Sequence, residues 1–397
     1  MIRKAITVLS ASVMLTLASC VNKGENKPLT TPNPTPPVIT ATPSPTPSPT
    51  PIPTPSPKPT PIPAKGLYIS ATIAGSRYFD SRFELTKTTD INALVIDVKD
   101  EFGTITFKGQ EQFDSLELSE AYIPDINTLI TRLDEAGVYK IARIVCFKDD
   151  GITRIHPDYA LKMPDGSVYK EKASGGEFMW IDPYNRTAWE YLGDVAEMAA
   201  KIGFDEIQLD YVRLPTSNGA GRIEYPIEEN QSRADIFIEF GKYMKERLSP
   251  YDVALAADVF AGVIYSDIDA ELIGQNYTEL AKVYDVLCPM TYPSHYADNT
   301  LGIEHPDLSP YETVLETLKI SNEKLDAEKK AGAEVANIRP WLQDFSATWL
   351  NFWQPYGGEQ LSDQIRAATD CGINEYMLWD PKNNFDGFRE LVGQPYE

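Results

Sequence analysis

The chain has 397 residues, 36 Lys or Arg against 58 Asp or Glu, and a formal charge of -22. That surplus of acid disfavours nucleic acid as a partner, because phosphates need basic patches. Three His (His156, His295, His305) with no ligand spacing, and four Cys with no framework spacing, argue against a zinc hydrolase and a disulfide scaffold, so neither metal nor cofactor is expected.

At the N-terminus Arg3 and Lys4 precede an apolar run, Ala5 to Leu17, that closes on Leu17-Ala18-Ser19-Cys20. The run is too short for a comfortable membrane span, and small residues before a cysteine read as an export signal with a lipobox. Residues 1–20 are therefore expected to be a lipoprotein signal peptide with Cys20 as the lipidated residue. The mature protein would be exported and lipid-anchored to the bacterial membrane, its domain outside the cytoplasm. From Pro28 to Pro63 the chain repeats Thr-Pro, Ser-Pro and Ile-Pro and holds 16 of the 31 prolines. Residues 21–65 read as a disordered Pro/Thr/Ser-rich linker, an extended tether with a reach on the order of 110 Å.

Residues 66–397 form the folded part. Its 30 bases and 57 acids give it a formal charge near -27. A neutral or cationic ligand suits such a surface, although the charge also serves solubility. Strand-like runs fall at 66–70, 93–99, 139–147, 206–213, 253–260, 285–292, 338–345 and 375–380. Helical patterns lie between them, around 123–133, 182–202, 229–248, 268–283, 310–331 and 359–371. Asp182-Pro183 reads as the opening of the second of these and Gly203 as its C-cap. Eight strands alternating with helices predict a (β/α)8 TIM barrel. A doubly wound sheet has the same alternation, but no Gly-rich phosphate loop follows the first strand. The excursion from Lys148 to Trp180 is too long for a plain turn and is expected to cover one side of the barrel mouth. Cys146 and Cys288 lie in apolar runs and read as core.

Strand alternation then sorts the polar residues. If Ile207, Leu209 and Tyr211 face the helices, Gln208 and Asp210 point inward. By the same count Asp258 points inward from the fifth strand, and Asp97 and Lys99 from the second. Arg143 shares a face with Ile141 and Val145 and reaches the interior near its top. Asp344 and Asp380 end the last two strands with ambiguous facing. Tyr292, His295, Trp341 and Trp379 gather at the same rim. Several inward acids at one barrel end crowd like charges and raise a pKa. The bland alternatives are an Asp97–Lys99 ion pair and an Asp210 paired to Arg143 or Arg213.

Two carboxyl groups flanking a bond are what glycoside hydrolysis needs, one protonated and one ionised. Aromatic rims suit the C–H faces of sugars. The chain also resembles the bacterial family of glycoside hydrolases with a TIM-barrel domain, in the segments LVIDVKDEFG (94–103), DEIQLDYVRLP (205–215), AADVF (256–260), CPMTYPSHY (288–296), RPWLQDF (339–345) and YMLWDP (376–381). The resemblance spans about 66–390. In related glycosidase barrels an Asp ending the fourth strand is the nucleophile, a position that Asp210 matches. The neighbouring strand often supplies a Glu as acid, where this chain has Asp258. The resemblance thus implies Asp210 as nucleophile or base, Asp258 as general acid and Asp97 as a reserve acid. Lys99, Arg143, Gln208, Arg213, Tyr292, His295, Trp341, Asp344, Trp379 and Asp380 would line the sugar site. The expected activity is cleavage of O-glycosidic bonds in an extracellular or cell-envelope polysaccharide. The alternatives are a carbohydrate-binding barrel without turnover and another hydrolase or lyase on the same scaffold.

Overall fold

The computed structural model describes residues 61–395, apart from 174, 175 and 218. The signal segment, Cys20 and the linker up to residue 60 lie outside the described residues.

Eight parallel staves close into a barrel. They are β1 (Lys65–Ile69), β2 (Ala93–Lys99), β3 (Tyr139–Val145), β4 (Glu206–Asp210), β5 (Ala254–Phe260), β6 (Val286–Met290), β7 (Trp341–Gln343) and β8 (Tyr376–Trp379). Neighbours in sequence are neighbours in the sheet, β8 pairs with β1, and Trp341 of β7 bridges Met290 of β6, which closes the ring. Before β7, a short piece at Asn337–Ile338 pairs with β6; Pro340, which has no N–H to give a ladder, interrupts the stave. β1 starts one residue before the expected boundary. Ala64 is fully buried, and the Ile62 carbonyl accepts from Arg339, so the fold begins inside the segment read as linker.

Helices separate the staves and bury apolar stripes against them. Leu94, Ile96, Ile207, Leu209, Leu255 and Leu378 face this outer layer. The interior holds a separate cluster that includes Tyr68, Val95, Ile141, Ala256, Cys288, Trp341 and Met377. The helix Arg186–Ile202 shows how local sequence sets the ends. Asn185, rather than Asp182, caps it by accepting from the amides of Thr187 and Ala188. Gly203 ends it at φ 114°, a conformation open to glycine, and an added Cβ would meet Ile130 at 3.2 Å. The expected helix over 268–283 is broken in two, Asp267–Ile273 and Tyr277–Ala281, at the left-handed Gly274. The 148–180 excursion carries a hairpin, Lys170–Ala173 with Gly176–Met179, and brings Trp180 edge-on to Tyr211 at the mouth.

Candidate active site

β4 stops at Asp210 because the backbone turns there. Tyr211 has φ 54°, a left-handed conformation that a bulky residue adopts only under constraint, and its amide donates to Asp210 Oδ1 at 2.6 Å. Tyr211 is therefore no longer a helix-facing strand residue, as alternation had it; its side chain lines the cleft. Arg143 points into the interior beside Ile141. Its Nε and Nη2 donate to Asp210 Oδ2 at 3.0 and 2.5 Å, and its Nη1 donates to Asp97 Oδ1 at 2.7 Å. Asp210 thus accepts three N–H bonds, two of them from a cation.

Asp258 is buried one stave away. Gln208 Nε2 and Trp341 Nε1 both donate to its Oδ1, each at 2.7 Å, and its Oδ2 accepts no hydrogen bond among the described residues. Burial, then the charge of Asp210, pushes the Asp258 carboxyl well above the usual carboxylate range; the Trp341 and Gln208 donors and Arg143 oppose this only in part. The shift favours the protonated form of Asp258 over the ionised one. One acid engaged by a guanidinium beside a second whose pKa is pushed upward is the separation of roles that acid–base catalysis requires.

Both groups open into a cleft of about 630 Å³ at the C-terminal ends of the staves. Trp379 lies against Tyr68 with ring centroids 4.1 Å apart and meets Trp341 edge-on at 5.6 Å. Tyr292 and His295 line the same cleft. Burial lowers the His295 pKa below its ordinary value, and Nδ1 of His295 is 3.0 Å from Ser294 Oγ. Arg213 enters from the loop after β4.

The structure withdraws five residues from direct contact with a ligand in this cleft. Lys99 follows a bulge after Asp97 that breaks the alternation, and its ammonium is fully buried on Asp149 at 2.7 Å. Asp97 is held by Tyr68 and Arg143 and lies beneath the cleft rather than lining it. Gln208 is wholly buried and positions Asp258. Asp344 accepts from the amides of Gly387 and Phe388 at the start of the helix Asp386–Leu391. Burial raises its pKa to about 7 despite those amides. Asp380 accepts from the amides of Lys382, Asn384 and Phe385 and organises that turn.

Alternation alone did not single out Tyr68, although its hydroxyl donates to Asp97 at 2.6 Å. Among the described residues no group of three or more His, Cys, Asp or Glu is placed to hold a metal ion.

Residues 66–385 match the family model described as "Putative glycosyl hydrolase domain". The chain belongs to this family. Its enzyme class is accordingly that of a glycosidase. Among solved structures, the glycoside hydrolase domain of PgaB (BpsB) from Bordetella bronchiseptica is similar to this glycosyl hydrolase over 83% of this chain and 98% of its own, at 14% identity and a TM-score of 0.59. TtGalA, an alpha-galactosidase from Thermus thermophilus in complex with stachyose, is similar over 84% of this chain and 65% of its own, at 14% identity and a TM-score of 0.51. At those identities the likeness establishes the barrel alone. A hypothetical protein from Ruminiclostridium thermocellum shares 29% identity over 49% of this chain and 97% of its own, with a TM-score of 0.42. No curated protein matches.

Proposed function

We propose that this glycosyl hydrolase cleaves O-glycosidic bonds of an extracellular or cell-envelope polysaccharide with Asp258 as general acid and Asp210 as nucleophile or base. In this reading Asp258 gives its proton to the leaving glycosidic oxygen as the C–O bond breaks. Asp210 either attacks the anomeric carbon or takes a proton from the water that does. Arg143 and the Tyr211 amide orient Asp210, while Trp341 and Gln208 hold Asp258 by one oxygen and leave the other for the proton. The observation that carries the reading is a buried Asp258, its pKa pushed upward, facing the same aromatic-walled cleft as the guanidinium-held Asp210.

A polymeric substrate is supported by the rings beyond the cleft. Phe345 meets Tyr292 at 6.1 Å and stacks on Trp349 at 6.0 Å, and Trp349, Phe352 and Trp353 are exposed on the following loop. Exposed aromatic faces contiguous with a sugar cleft suit a chain longer than the cleft itself. Action outside the cytoplasm rests on the signal segment and Cys20 read from the sequence.

The full chain, screened on a panel of soluble and envelope polysaccharides, is expected to release reducing ends. Asp210→Asn and Asp258→Asn should lower that release at least 100-fold while both variants still fold, as circular dichroism would show. Full activity in either variant would remove that residue from the mechanism.

A further inference from the structure

Two arginines line the cleft, Arg143 and Arg213, and they are held in different ways. Arg143 is engaged by Asp97 and Asp210. Arg213 is just as buried, at 9% exposure, yet no carboxylate comes within ion-pair distance of it among the described residues. Asp210 is engaged by Arg143; Glu171 accepts from the Trp180 indole at 2.9 Å and has Lys148 at 3.7 Å.

A guanidinium has five N–H donors. Arg213 uses one, from Nη1 to the Leu214 carbonyl at 2.9 Å. Its flat face is held by Trp180, Tyr211 and Phe260, whose ring centroids lie 5.2, 5.0 and 4.5 Å from its central carbon. Rings compensate charge through their faces. They offer no in-plane acceptor, so the donor edge is left for another group. Burial lowers the pKa of Arg213, the mark of a desolvated cation without a full counter-charge. A buried, unpaired cation is costly, and its rigid fork matches a carboxylate in two-point fashion.

We propose that Arg213 forms an acid-recognising subsite that receives the carboxylate of an acidic sugar, a uronic acid or a sugar bearing a carboxyl substituent. The bulk charge of the domain, near -27, sets the opposite preference for the molecule as a whole. The two scales are separable. Surface charge is screened over roughly 8 Å at physiological ionic strength, whereas a contact to a buried guanidinium is screened much less. The substrate that satisfies both is a glycan with spaced carboxylates rather than a dense polyanion. The inference rests on the glycosidase reading only in taking the cleft to be where the glycan lies.

The test is binding, so it does not depend on turnover. The full chain is titrated calorimetrically with uronic-acid oligosaccharides and with the same oligosaccharides after reduction of the carboxyls to neutral alcohols. The wild type is expected to bind at least one acidic member about 10- to 100-fold more tightly than its reduced partner. Arg213→Gln should erase that ratio by weakening only the acidic member, and Arg213→Lys, which keeps the charge without the fork, should keep part of it. Melting curves of both variants separate loss of recognition from loss of fold. Equal binding of acidic and reduced members by the wild type, or an undiminished ratio in Arg213→Gln, overturns the proposal. Preference without hydrolysis would leave the subsite standing and count against the glycosidase reading alone.

Discussion

The two ends of the barrel interior repeat one device with different outcomes. At the lower end, Arg339 donates to Glu206 at 2.7 Å, to Glu375 at 2.9 Å and to the Ile62 carbonyl, and Tyr139 donates to Glu206. At the upper end, Arg143 joins Asp97 and Asp210, and Tyr68 donates to Asp97. Each end therefore has one arginine, two acids and a tyrosine. The lower set is closed: Glu206 and Arg339 have no exposed surface. The upper set opens into a cleft and carries a third acid, Asp258, which has no cation within ion-pair distance among the described residues. The lower cluster seals the barrel. In the upper one, burial and the charge of Asp210 push the Asp258 carboxyl well above the usual carboxylate range.

The difference can be broken from either side. The largest effect is expected at the lower end. Arg339→Met leaves the buried Glu206 and the partly buried Glu375 without their cation and should cost about 3–5 kcal/mol of stability. Urea unfolding would show this as a lower midpoint, while the fraction still folded keeps its activity. A matching loss of activity per folded molecule would mean that the two ends are coupled. Next comes the upper end. Asp258→Asn should slow hydrolysis of unactivated glycans by about 10²- to 10⁴-fold. Its stability should respond in the opposite sense from that of Arg339→Met. Because the folded pKa of Asp258 is raised, the wild type draws full stability from the protonated form at acid pH and loses it as pH rises through the folded value. The asparagine variant has no such loss, so melting temperatures measured from pH 5 to 9 should favour it increasingly toward alkaline pH.

A smaller effect sharpens the comparison within the upper cluster. The Trp341 indole donates to the charged form of Asp258 and so opposes the rise in its pKa. Trp341→Phe removes that donor and should move the alkaline limb of the rate profile upward by up to about one pH unit. A downward shift would show that the indole serves the neutral acid. The smallest effect belongs to an acid that the sequence placed in the sugar site. Asp344→Ala should leave glycan affinity unchanged and cost about 1 kcal/mol through loss of its helix cap, read by thermal unfolding.

Much of the barrel was legible because hydrophobic alternation and strand–helix succession are local signals. Glu206 shares the parity of Gln208 and Asp210, so its inward facing follows from the same alternation. That of its partner Arg339 does not, because Pro340 breaks the seventh stave and the alternation with it. Lys99 was misread for the same kind of reason: a bulge after Asp97 turned the next polar residue out of the interior. Asp344 and Asp380 end strands as catalytic acids do, but both are engaged by backbone amides that follow β8, a pairing that only the folded backbone reveals. The left-handed backbone at Tyr211, which moves its ring from under the helices to the cleft, leaves no mark in a sequence that has no glycine there.

The central claim is that Asp258 is the proton donor and Asp210 is not. It is tested most directly by comparing Asp258→Asn and Asp210→Asn on matched glycosides with poor and good leaving groups, alkyl against dinitrophenyl. A leaving group that needs no proton should restore Asp258→Asn to within about tenfold of the wild type and leave Asp210→Asn inactive. Equal losses on both substrates in Asp258→Asn, or rescue of Asp210→Asn, would contradict the assignment.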